Sequence, residues 1–256
     1  MPVSIAESEA HKGRLFERLM KTYFIKDPIY RERFSAVWLW AEWAAERPDF
    51  DGTDTGIDLV AEERDGSGYC AIQCKCYAPG TRISKPHLDS FIAASAREPF
   101  TARIVVDTGD EWGTTARKAI AHLKPSCFVL RFGDLASRPF DWPDLGRDEP
   151  ENPSYQHEPY SLRPHQQAAF DDVIRGFQTD DRGKLVMACG TGKTFVALRI
   201  AEAVAGIGGR ALYLVPSIAL FAQSMREWAT QQTVRHRYIG ICSDTSAGKN
   251  DEDLVT

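Results

Sequence analysis

The sequence of 256 residues has no long apolar run, no excess of basic residues and no region of low complexity. No stretch of 18 apolar residues occurs, which excludes a membrane-spanning helix, and residues 1–9 lack the basic and apolar regions of a secretory signal. We therefore expect a cytoplasmic protein without membrane contacts. The formal net charge is −5, so the overall composition gives no sign of a nucleic-acid partner, although a local basic groove can exist within a neutral total.

The six cysteines lack the two-pair spacing of a structural zinc site. Cys70, Cys74 and Cys76 do crowd together, which raises the alternative of a metal site. Because side chains alternate along a strand, these three would share one face with Ile72. We expect this face to be buried and apolar, with reduced thiols.

The composition of the chain changes between two regions of ordinary globular character. Residues 139–164 contain six prolines, and residues 141–160 carry one Arg against six acids. This pattern is typical of a semi-stiff linker. We therefore predict a first domain at 1–138, a linker at 139–160 and a second domain at 161–256.

The first domain alternates helical and strand-like patterns. Helices are predicted at 9–24, 29–47, 85–97 and 114–123, and strands at 57–63, 69–77, 102–107 and 127–132. The second helix would carry Trp38, Trp40 and Trp43, which fit a core stripe better than an aromatic platform for bases. The turn residues at 64–68 predict a β-hairpin between the first two strands. This order indicates an α/β domain with a mixed sheet.

Polar side chains capable of chemistry lie on the two strands of this hairpin. Asp58 lies on the first strand, and Gln73 and Lys75 share one face of the second. A carboxylate and an amide oxygen can hold Mg²⁺, and a nearby Lys can orient or activate a water, which predicts metal-assisted phosphodiester hydrolysis. Glu17 of the first helix could add a second carboxylate. The alternative is an exposed strand face on which Asp58 and Lys75 form a surface pair.

Two segments of this hairpin resemble a known nuclease motif. Gly56 to Val60 followed by Ile72 to Lys75 is similar to the D…QxK variant of the PD-(D/E)xK fold, as in Mrr-like endonuclease domains, and Phe16-Glu17 resembles part of the opening helix. The resemblance implies cleavage of double-stranded DNA. It also implies four catalytic residues, Asp58, Gln73, Lys75 and Glu17. Of these, Asp58 and Gln73 would bind Mg²⁺. Gln73 stands where many relatives have Asp or Glu, so the site has one negative charge fewer.

The second domain contains a candidate phosphate-binding loop, Met187 to Thr194. It lies between a strand-like run at 184–186 and a helix-like run at 195–205. Backbone N–H groups of such a loop point at phosphates, Lys193 would reach the β and γ oxygens, and the Thr194 hydroxyl would ligate Mg²⁺. The full spacing requires Gly at 187, where this chain has Met.

The remaining elements of the second domain alternate in the same way. Helices are predicted from about 162 to 177 and from 216 to about 232, and strands at 211–215 and 238–242. The resulting αβαβαβ order predicts the start of a parallel, doubly wound sheet.

Three segments in this order resemble the first RecA-like lobe of a superfamily 2 helicase or translocase. Leu162 to Gln166 is similar to the adenine-reading Q motif, Met187 to Thr194 to motif I, and Leu214 to Leu220 to the DNA-contacting motif Ia. Small residues or Met commonly replace the first glycine of that motif I. The resemblance implies ATP and Mg²⁺ as cofactors, with the ATP-binding residues Gln166, Gly190, Thr191, Gly192, Lys193 and Thr194, and with Thr194 also on the metal.

Two parts that ATP hydrolysis requires are missing from the pattern. These are a Walker B carboxylate after a buried strand and a second lobe that supplies arginine fingers. The acidic run at 251–253 follows polar residues and does not fit the first. We therefore expect an incomplete RecA-like domain, the N-terminal part of a longer enzyme, which binds ATP weakly and does not turn it over.

A nuclease joined by a linker to such a motor resembles the N-terminus of ATP-dependent restriction enzymes of type ISP. That resemblance implies that the remainder of the same polypeptide holds the second motor lobe, a methyltransferase and a target-recognition domain. Three alternatives stay open: a fragment of a type I motor subunit, a superfamily 2 NTPase whose first domain only binds DNA or couples domains, and a degenerate nuclease fold that binds proteins.

Overall fold

The computed structural model describes residues 5–50, 52–53, 55–78, 80–109, 111–121, 123–136, 140, 142 and 158–241. These residues form two compact units, one within Met1–Gln156 and one within His157–Ser243. Most of the predicted linker at 139–160 and the acidic run at 251–253 lie outside the described residues. Within those described ranges, every helix is too short or too polar to cross a lipid bilayer.

The first unit is built around a five-stranded sheet. Its helices are α1 (Ile5–Lys26), α2 (Pro28–Arg33), α3 (Trp40–Ala45), α4 (Pro86–Ala94), α5 (Thr114–Ile120) and α6 (Phe132–Ala136). Its strands are β1 (Phe34–Leu39), β2 (Leu59–Glu63), β3 (Tyr69–Lys75), β4 (Arg82–Ile83), β5 (Phe100–Asp107), β6 (Glu111–Trp112) and β7 (Cys127–Arg131). The main sheet has the order β1-β2-β3-β5-β7, and β4 pairs with β6 separately. The β1/β2 and β2/β3 pairs are antiparallel and the others parallel, which confirms the predicted mixed sheet.

Alternation of side chains along the sheet creates one apolar layer on each face. Cys70 and Ile72 of β3 pack in the layer that contains α1, and Ala71 packs in the layer that contains α3, α4 and α5. Cys74 and Cys76 pack against the α1 layer as well, so the cysteines share one apolar face as predicted. The face of β3 that carries the cysteines is thus directed toward α1, and the face that carries Ala71 is directed toward α4.

The predicted helix at 29–47 is wrong, because β1 interrupts it. Asp27 caps the short helix α2 by accepting a hydrogen bond from Ile29 N–H (2.9 Å). The chain then extends and pairs with β2, so that Val37 lies opposite Ala61. Short helices lie directly before and after this edge strand. The sequence pattern of the three elements together is therefore similar to that of one long helix. The tryptophans nevertheless belong to the core as predicted, since Trp40 and Trp43 are buried.

The second unit contains α7 (Pro164–Gly176), α8 (Lys193–Ala205) and α9 (Ile218–Gln231). The helices were predicted, but the strands expected at 184–186, 211–215 and 238–242 are not formed among residues 158–241. The described residues of these segments form no ladder hydrogen bonds, and six of their large apolar side chains are exposed: Leu185, Val186, Leu212, Leu214, Ile239 and Ile241. A parallel strand forms only against neighbours in register, so an apolar run alone does not make a sheet.

Buried polar contacts hold the second unit together around α8. The Glu202 carboxylate accepts hydrogen bonds from Arg199 Nη1 (2.6 Å), Thr233 N–H (2.6 Å) and Val234 N–H (3.0 Å). Arg199 Nη2 also donates to the Tyr160 carbonyl (3.1 Å). The Tyr160 N–H donates to Gln231 Oε1 of α9 (2.8 Å), so the backbone of residue 160 is tied to both helices.

Candidate functional sites

Asp58 immediately precedes β2, where that strand meets both of its neighbours. Its N–H donates to the Ile72 carbonyl (2.9 Å), and its carbonyl accepts from Trp40 N–H (2.8 Å). Its carboxylate Oδ2 accepts a hydrogen bond from Cys74 N–H (2.6 Å). Since Cys74 separates Gln73 from Lys75 in the chain, the Asp58 carboxylate lies against the backbone between these two residues.

Gln73 is buried, with 2% of its surface exposed. Its amide nitrogen lies close to Gly56, whose φ is +80°. A Cβ at residue 56 would approach Gln73 Nε2 to 3.3 Å and Phe91 N of α4 to 3.1 Å, so both the backbone angle and the space favour glycine there. Gln73 Oε1 is buried without a hydrogen-bond partner among the described residues. An unsatisfied buried acceptor is costly, and a cation would satisfy it.

The end of β5 holds the segment that carries Lys75. Thr108 N–H donates to the Lys75 carbonyl (3.1 Å), and the Thr108 hydroxyl donates to the Tyr77 carbonyl (2.7 Å) and accepts from Tyr77 N–H (2.8 Å). Asp107, which pairs with Lys75 in the parallel ladder, is fully buried and accepts from Trp112 Nε1 (2.9 Å). Sequence reasoning missed Asp107 and Thr108, although polar residues directly after an apolar parallel strand are a usable signal.

Glu17 of α1 acts on the same environment as Asp58. Burial raises the pKa of the Cys74 thiol well above its ordinary value, the negative charges of Asp58 and Glu17 raise it further, and Lys75 lowers it. The charges of Asp58, Glu17 and Lys75 thus all act on the Cys74 thiol. The Asp58 carboxylate is hydrogen-bonded to the strand that carries Gln73 and Lys75, whereas the Gln73 side chain lies beside Gly56 and α4, on the face of the sheet opposite to α1.

The donor set at this position fits Mg²⁺. This ion prefers oxygen ligands, retains several waters and is held by one or two carboxylates. Asp58 supplies a carboxylate, and Gln73 Oε1 supplies a buried oxygen that lacks a hydrogen-bond partner among the described residues. The described residues contain no cluster of three or more His, Cys, Asp or Glu side chains that could hold a metal.

The candidate phosphate loop of the second unit contains a glycine, Gly192, that directly precedes α8. Gly192 has φ +81° and precedes Lys193, the first residue of the helix, and Gly190 has φ +75°. A Cβ at residue 192 would overlap the Gln166 amide nitrogen, so glycine is required both by its backbone angle and by the close approach.

Lys193 folds back over the loop. Its Nζ donates to the carbonyls of Met187 (2.9 Å) and Ala188 (2.7 Å), and Thr191 Oγ1 donates to the same Ala188 carbonyl (2.7 Å). Met187 therefore takes part through its backbone carbonyl, which any residue type supplies. The ammonium lies within the loop, where the predicted phosphate position lies.

Gln166 connects α7 to the phosphate loop. It is buried, its Oε1 accepts from Arg163 N–H (2.9 Å), and its Nε2 donates to the Thr191 carbonyl (3.0 Å). His165 Nε2 lies 3.4 Å from the same carbonyl. One N–H and one lone pair of the Gln166 amide remain for the predicted adenine contact.

Helix α9 reaches the first turn of α8 through a residue that sequence reasoning missed. Trp228 Nε1 donates to the Thr194 carbonyl (3.0 Å), and the Trp228 ring is buried against Tyr213 (4.7 Å between centroids). At the other end of α9, Ser217 caps the helix by accepting from Leu220 N–H (3.3 Å). The sequence does not indicate such a contact, because a tryptophan within a helix is usually predicted to be a core residue.

A mixed sheet with helices on both faces, followed by a unit with a phosphate loop, is the organisation of a restriction endonuclease domain joined to a helicase-type domain. The chain belongs to the restriction endonuclease family, whose sequence model matches residues 25–152, half of the chain. The family "Type III restriction enzyme, res subunit" matches residues 159–254.

A solved structure is similar to most of the chain. It is the "ATP-dependent Type ISP restriction-modification enzyme LlaBIII bound to DNA", which matches with a TM-score of 0.71 and 31% identity. The match covers 91% of this chain and 15% of that enzyme. Together with the two families, it indicates a restriction nuclease domain followed by a helicase-type domain, an arrangement similar to that of the type ISP enzyme.

A curated protein is similar to a shorter stretch. This is the "Putative ATP-dependent RNA helicase L396" of Acanthamoeba polyphaga mimivirus, 54% identical over 41 residues, which are 16% of this chain and 8% of that protein. The chain thus spans a small part of the length of either relative. Nucleases and ATP-dependent helicases of the matched families generally use Mg²⁺ and ATP.

Proposed function

We propose that the first unit is a Mg²⁺-dependent DNA endonuclease domain, with Asp58, Gln73, Lys75 and Glu17 at its centre. The observation that carries this proposal is the buried Gln73 Oε1, which lacks a hydrogen-bond partner among the described residues and belongs to the strand whose Cys74 N–H holds the Asp58 carboxylate. Membership of the restriction endonuclease family supports it.

Each residue of the centre has a distinct task. Asp58 and Gln73, assisted by Glu17, would hold Mg²⁺, which supplies Lewis-acid stabilisation of the phosphate when bound. The Cys74 N–H fixes the orientation of the Asp58 carboxylate. Lys75 would donate a hydrogen bond to the attacking water and place a positive charge beside the developing negative charge on the phosphate.

We infer that the second unit binds ATP through Gln166, Gly190, Thr191, Gly192, Lys193 and Thr194, with Thr194 also on Mg²⁺. The left-handed glycines and the Lys193 ammonium inside the loop support this assignment. We assign the nuclease to 1–138, the linker to 139–160 and the beginning of the first motor lobe to 161–256.

The setting that fits both units is an ATP-driven restriction-modification enzyme of type ISP. Its substrate would be double-stranded DNA, its partners would be a second motor lobe and the methyltransferase and target-recognition domains of the same polypeptide, and its compartment would be the cytoplasm. The DNA-bound type ISP relative supports this setting.

The nuclease proposal is tested by nicking of supercoiled DNA with the purified chain. Wild-type protein should nick in the presence of Mg²⁺ and not in EDTA. Asp58→Ala removes a metal ligand and Lys75→Ala removes the cation at the reaction centre, so each should abolish nicking.

Lys85 and Asp89 of α4 provide a matched control. They form an exposed ion pair (2.6 Å) outside the proposed centre, and such pairs contribute little. Lys85→Ala and Asp89→Ala should therefore nick at the wild-type rate. Unchanged nicking in Asp58→Ala and Lys75→Ala would refute the catalytic assignment, and DNA binding without nicking by the wild type would favour the alternative of a non-cleaving DNA-binding domain.

A further inference from the structure

One face of α1 is basic from His11 to Lys21. His11, Arg14, Arg18 and Lys21 recur at intervals of three and four residues, so they lie on the same side of the helix. His11, Arg14 and Arg18 are exposed, and Lys21 is half-buried. We call these four residues the basic face of α1. The apolar residues of the same helix, such as Met20, pack on the sheet instead.

The basic face is only partly neutralised by the protein itself. Lys21 Nζ forms an ion pair with Glu42 Oε2 (2.6 Å). Burial acts to raise the pKa of Glu42, but hydrogen bonds from Lys21 and Leu39 N–H and the charges of Lys21 and Arg18 outweigh it and lower that pKa. Arg14 has no ion pair and no side-chain hydrogen bond with another residue that the structure describes. With the neighbouring Glu17, two carboxylates face three permanent cations, so the face keeps a net positive charge.

The basic face begins beside the proposed nuclease centre. Glu17 lies between Arg14 and Arg18 on α1, at the border between the exposed and buried sides of the helix. Phe16, the neighbour of Glu17 in α1, packs in the same apolar cluster as Ile72 and Cys74, which places this turn of α1 against β3. Arg14 and Arg18, each within one helical turn of Glu17, are thus among the cations nearest to that centre along α1.

The dimensions of the basic face suit a nucleic-acid backbone. From His11 to Lys21 the helix rises about 15 Å, at about 1.5 Å per residue. Phosphates of one DNA strand advance about 3.4 Å per nucleotide along the duplex axis, so this distance covers about four of them. An exposed guanidinium matches phosphate oxygens in a bidentate geometry, and two of the four residues are arginines.

We propose that Arg14 and Arg18, flanked by His11 and Lys21, bind the phosphate backbone of the duplex DNA whose cleaved bond enters the centre at Asp58 and Lys75. The proposal rests on the proposed nuclease function for the identity of the partner. Contacts of this kind carry no base information and set the position and angle of the duplex. The basic face would therefore hold any sequence in place for cleavage.

The salt dependence of DNA binding tests this surface. Binding of a fluorescein-labelled duplex to the 256-residue chain is measured by anisotropy in EDTA, so that no cleavage occurs, over a series of salt concentrations. Each lost phosphate contact lowers the slope of log K against log salt by about 0.9. The double variant Arg14→Gln/Arg18→Gln should reduce the slope by about two and weaken binding on the order of tenfold per contact at 0.1 M salt.

Arg117 and Lys118 of α5 provide the matched control. Both are exposed cations one position apart on a helix that packs on the opposite face of the sheet. Arg117→Gln/Lys118→Gln removes the same formal charge and should leave the slope unchanged. An unchanged slope in the α1 variant, an equal loss in both double variants, or no duplex binding by the wild type would each overturn the proposal.

The result is separable from the nuclease function. Asp58→Ala removes a proposed metal ligand and should keep the wild-type salt slope in EDTA while losing Mg²⁺-dependent nicking. A reduced slope in the α1 variant together with no nicking by the wild type would retain the DNA surface and reject the nuclease. Normal nicking by the wild type together with an unchanged slope in the α1 variant would retain the nuclease and reject the DNA surface on α1.

Discussion

Gln73 is the residue on which the strength of the proposed metal site depends. It offers a neutral oxygen, whereas Asp58 and Glu17 offer carboxylates. Its side chain is buried under Gly56 and α4, so its oxygen has little access to water. A site with this composition attracts Mg²⁺ less strongly than one with a third carboxylate, and it avoids the cost of burying another charge when the metal is absent.

Replacement of Gln73 by Glu should strengthen the attraction for Mg²⁺ and should add the cost of a buried charge when the metal is absent. Gln73→Glu adds a negative charge next to Asp58, so the protein should melt at a lower temperature than wild type in EDTA and gain more from Mg²⁺, because a bound ion stabilises the folded state in proportion to its affinity. The affinity for Mg²⁺ should rise on the order of tenfold or more. Thermal melting over a Mg²⁺ titration measures both effects.

Gln73→Leu is the control for this experiment. It has a similar volume but no oxygen, so its melting temperature should respond less to Mg²⁺ than that of the wild type. An identical Mg²⁺ response in Gln73→Glu, Gln73→Leu and wild type would show that residue 73 does not ligate the metal.

The sequence allows the side chains of this centre to be nominated, but not their supports. Asp58, Gln73 and Lys75 could be nominated because a hairpin with period-two alternation brings them to neighbouring positions. The Cys74 N–H that anchors Asp58 is a backbone group, and every residue except proline has one. The hydroxyl of Thr108, which binds Tyr77 twice, acts across 31 positions of the chain and follows only from the strand order.

At the scale of elements, β1 is a segment whose conformation is decided by strand pairing and not by its local sequence pattern. The run from Phe34 to Leu39 is apolar and short, and short helices adjoin it on both sides. Its conformation is decided by the edge of β2, which is distant in the sequence. The strands expected in the second unit show the opposite error, because their apolar runs have no neighbour in register within residues 158–241.

Helix α8 is held by a carboxylate whose contribution depends on pH. Burial acts to raise the pKa of Glu202, but hydrogen bonds from Val234, Thr233 and Arg199 outweigh it and lower that pKa in the folded state. A lowered folded pKa stabilises the fold above the unfolded value of about 4.3, and this contribution is lost as the pH falls through the folded pKa.

Glu202→Gln should therefore destabilise the second unit at pH 7 by about 1–3 kcal/mol, since it replaces charge-assisted hydrogen bonds with neutral ones and leaves donors unpaired. The difference from wild type should shrink as the pH falls below about 4.3 and through the lowered folded pKa, because the wild-type carboxylate becomes protonated there. Denaturant unfolding across this pH range measures it. A difference that stays constant with pH would contradict the role assigned to the charge of Glu202.

At the scale of the whole molecule, the proposed chemistry is divided between two units that each have their own core. The residues proposed for cleavage and for the metal of the nuclease centre all lie in the first unit, and those proposed for ATP and its Mg²⁺ lie in the second. The sequence allows this division to be predicted, because the proline-rich and acidic composition at 139–160 differs from that on either side.

Lys193→Ala tests this division. Loss of a charge-assisted hydrogen bond to phosphate should weaken ATP binding by about tenfold to a hundredfold, as measured by titration calorimetry or a fluorescent ATP analogue. Nicking by the same variant in Mg²⁺ without ATP should equal that of the wild type. Lys184→Ala, an exposed lysine before the loop, is the control and should bind ATP normally. Unchanged ATP affinity in Lys193→Ala would refute the assignment of the loop.

The attachment of Tyr160 has a mechanical consequence. Its N–H and its carbonyl are both hydrogen-bonded to side chains, those of Gln231 on α9 and Arg199 on α8. Tension applied to the chain ahead of residue 158 would therefore be borne by these two bonds before it reached the rest of the second unit. Through Arg199 that load passes to α8, whose first residue is Lys193 of the phosphate loop. Residue 160 is thus an anchor point at which a pull on the connecting segment meets the helix that carries the phosphate loop.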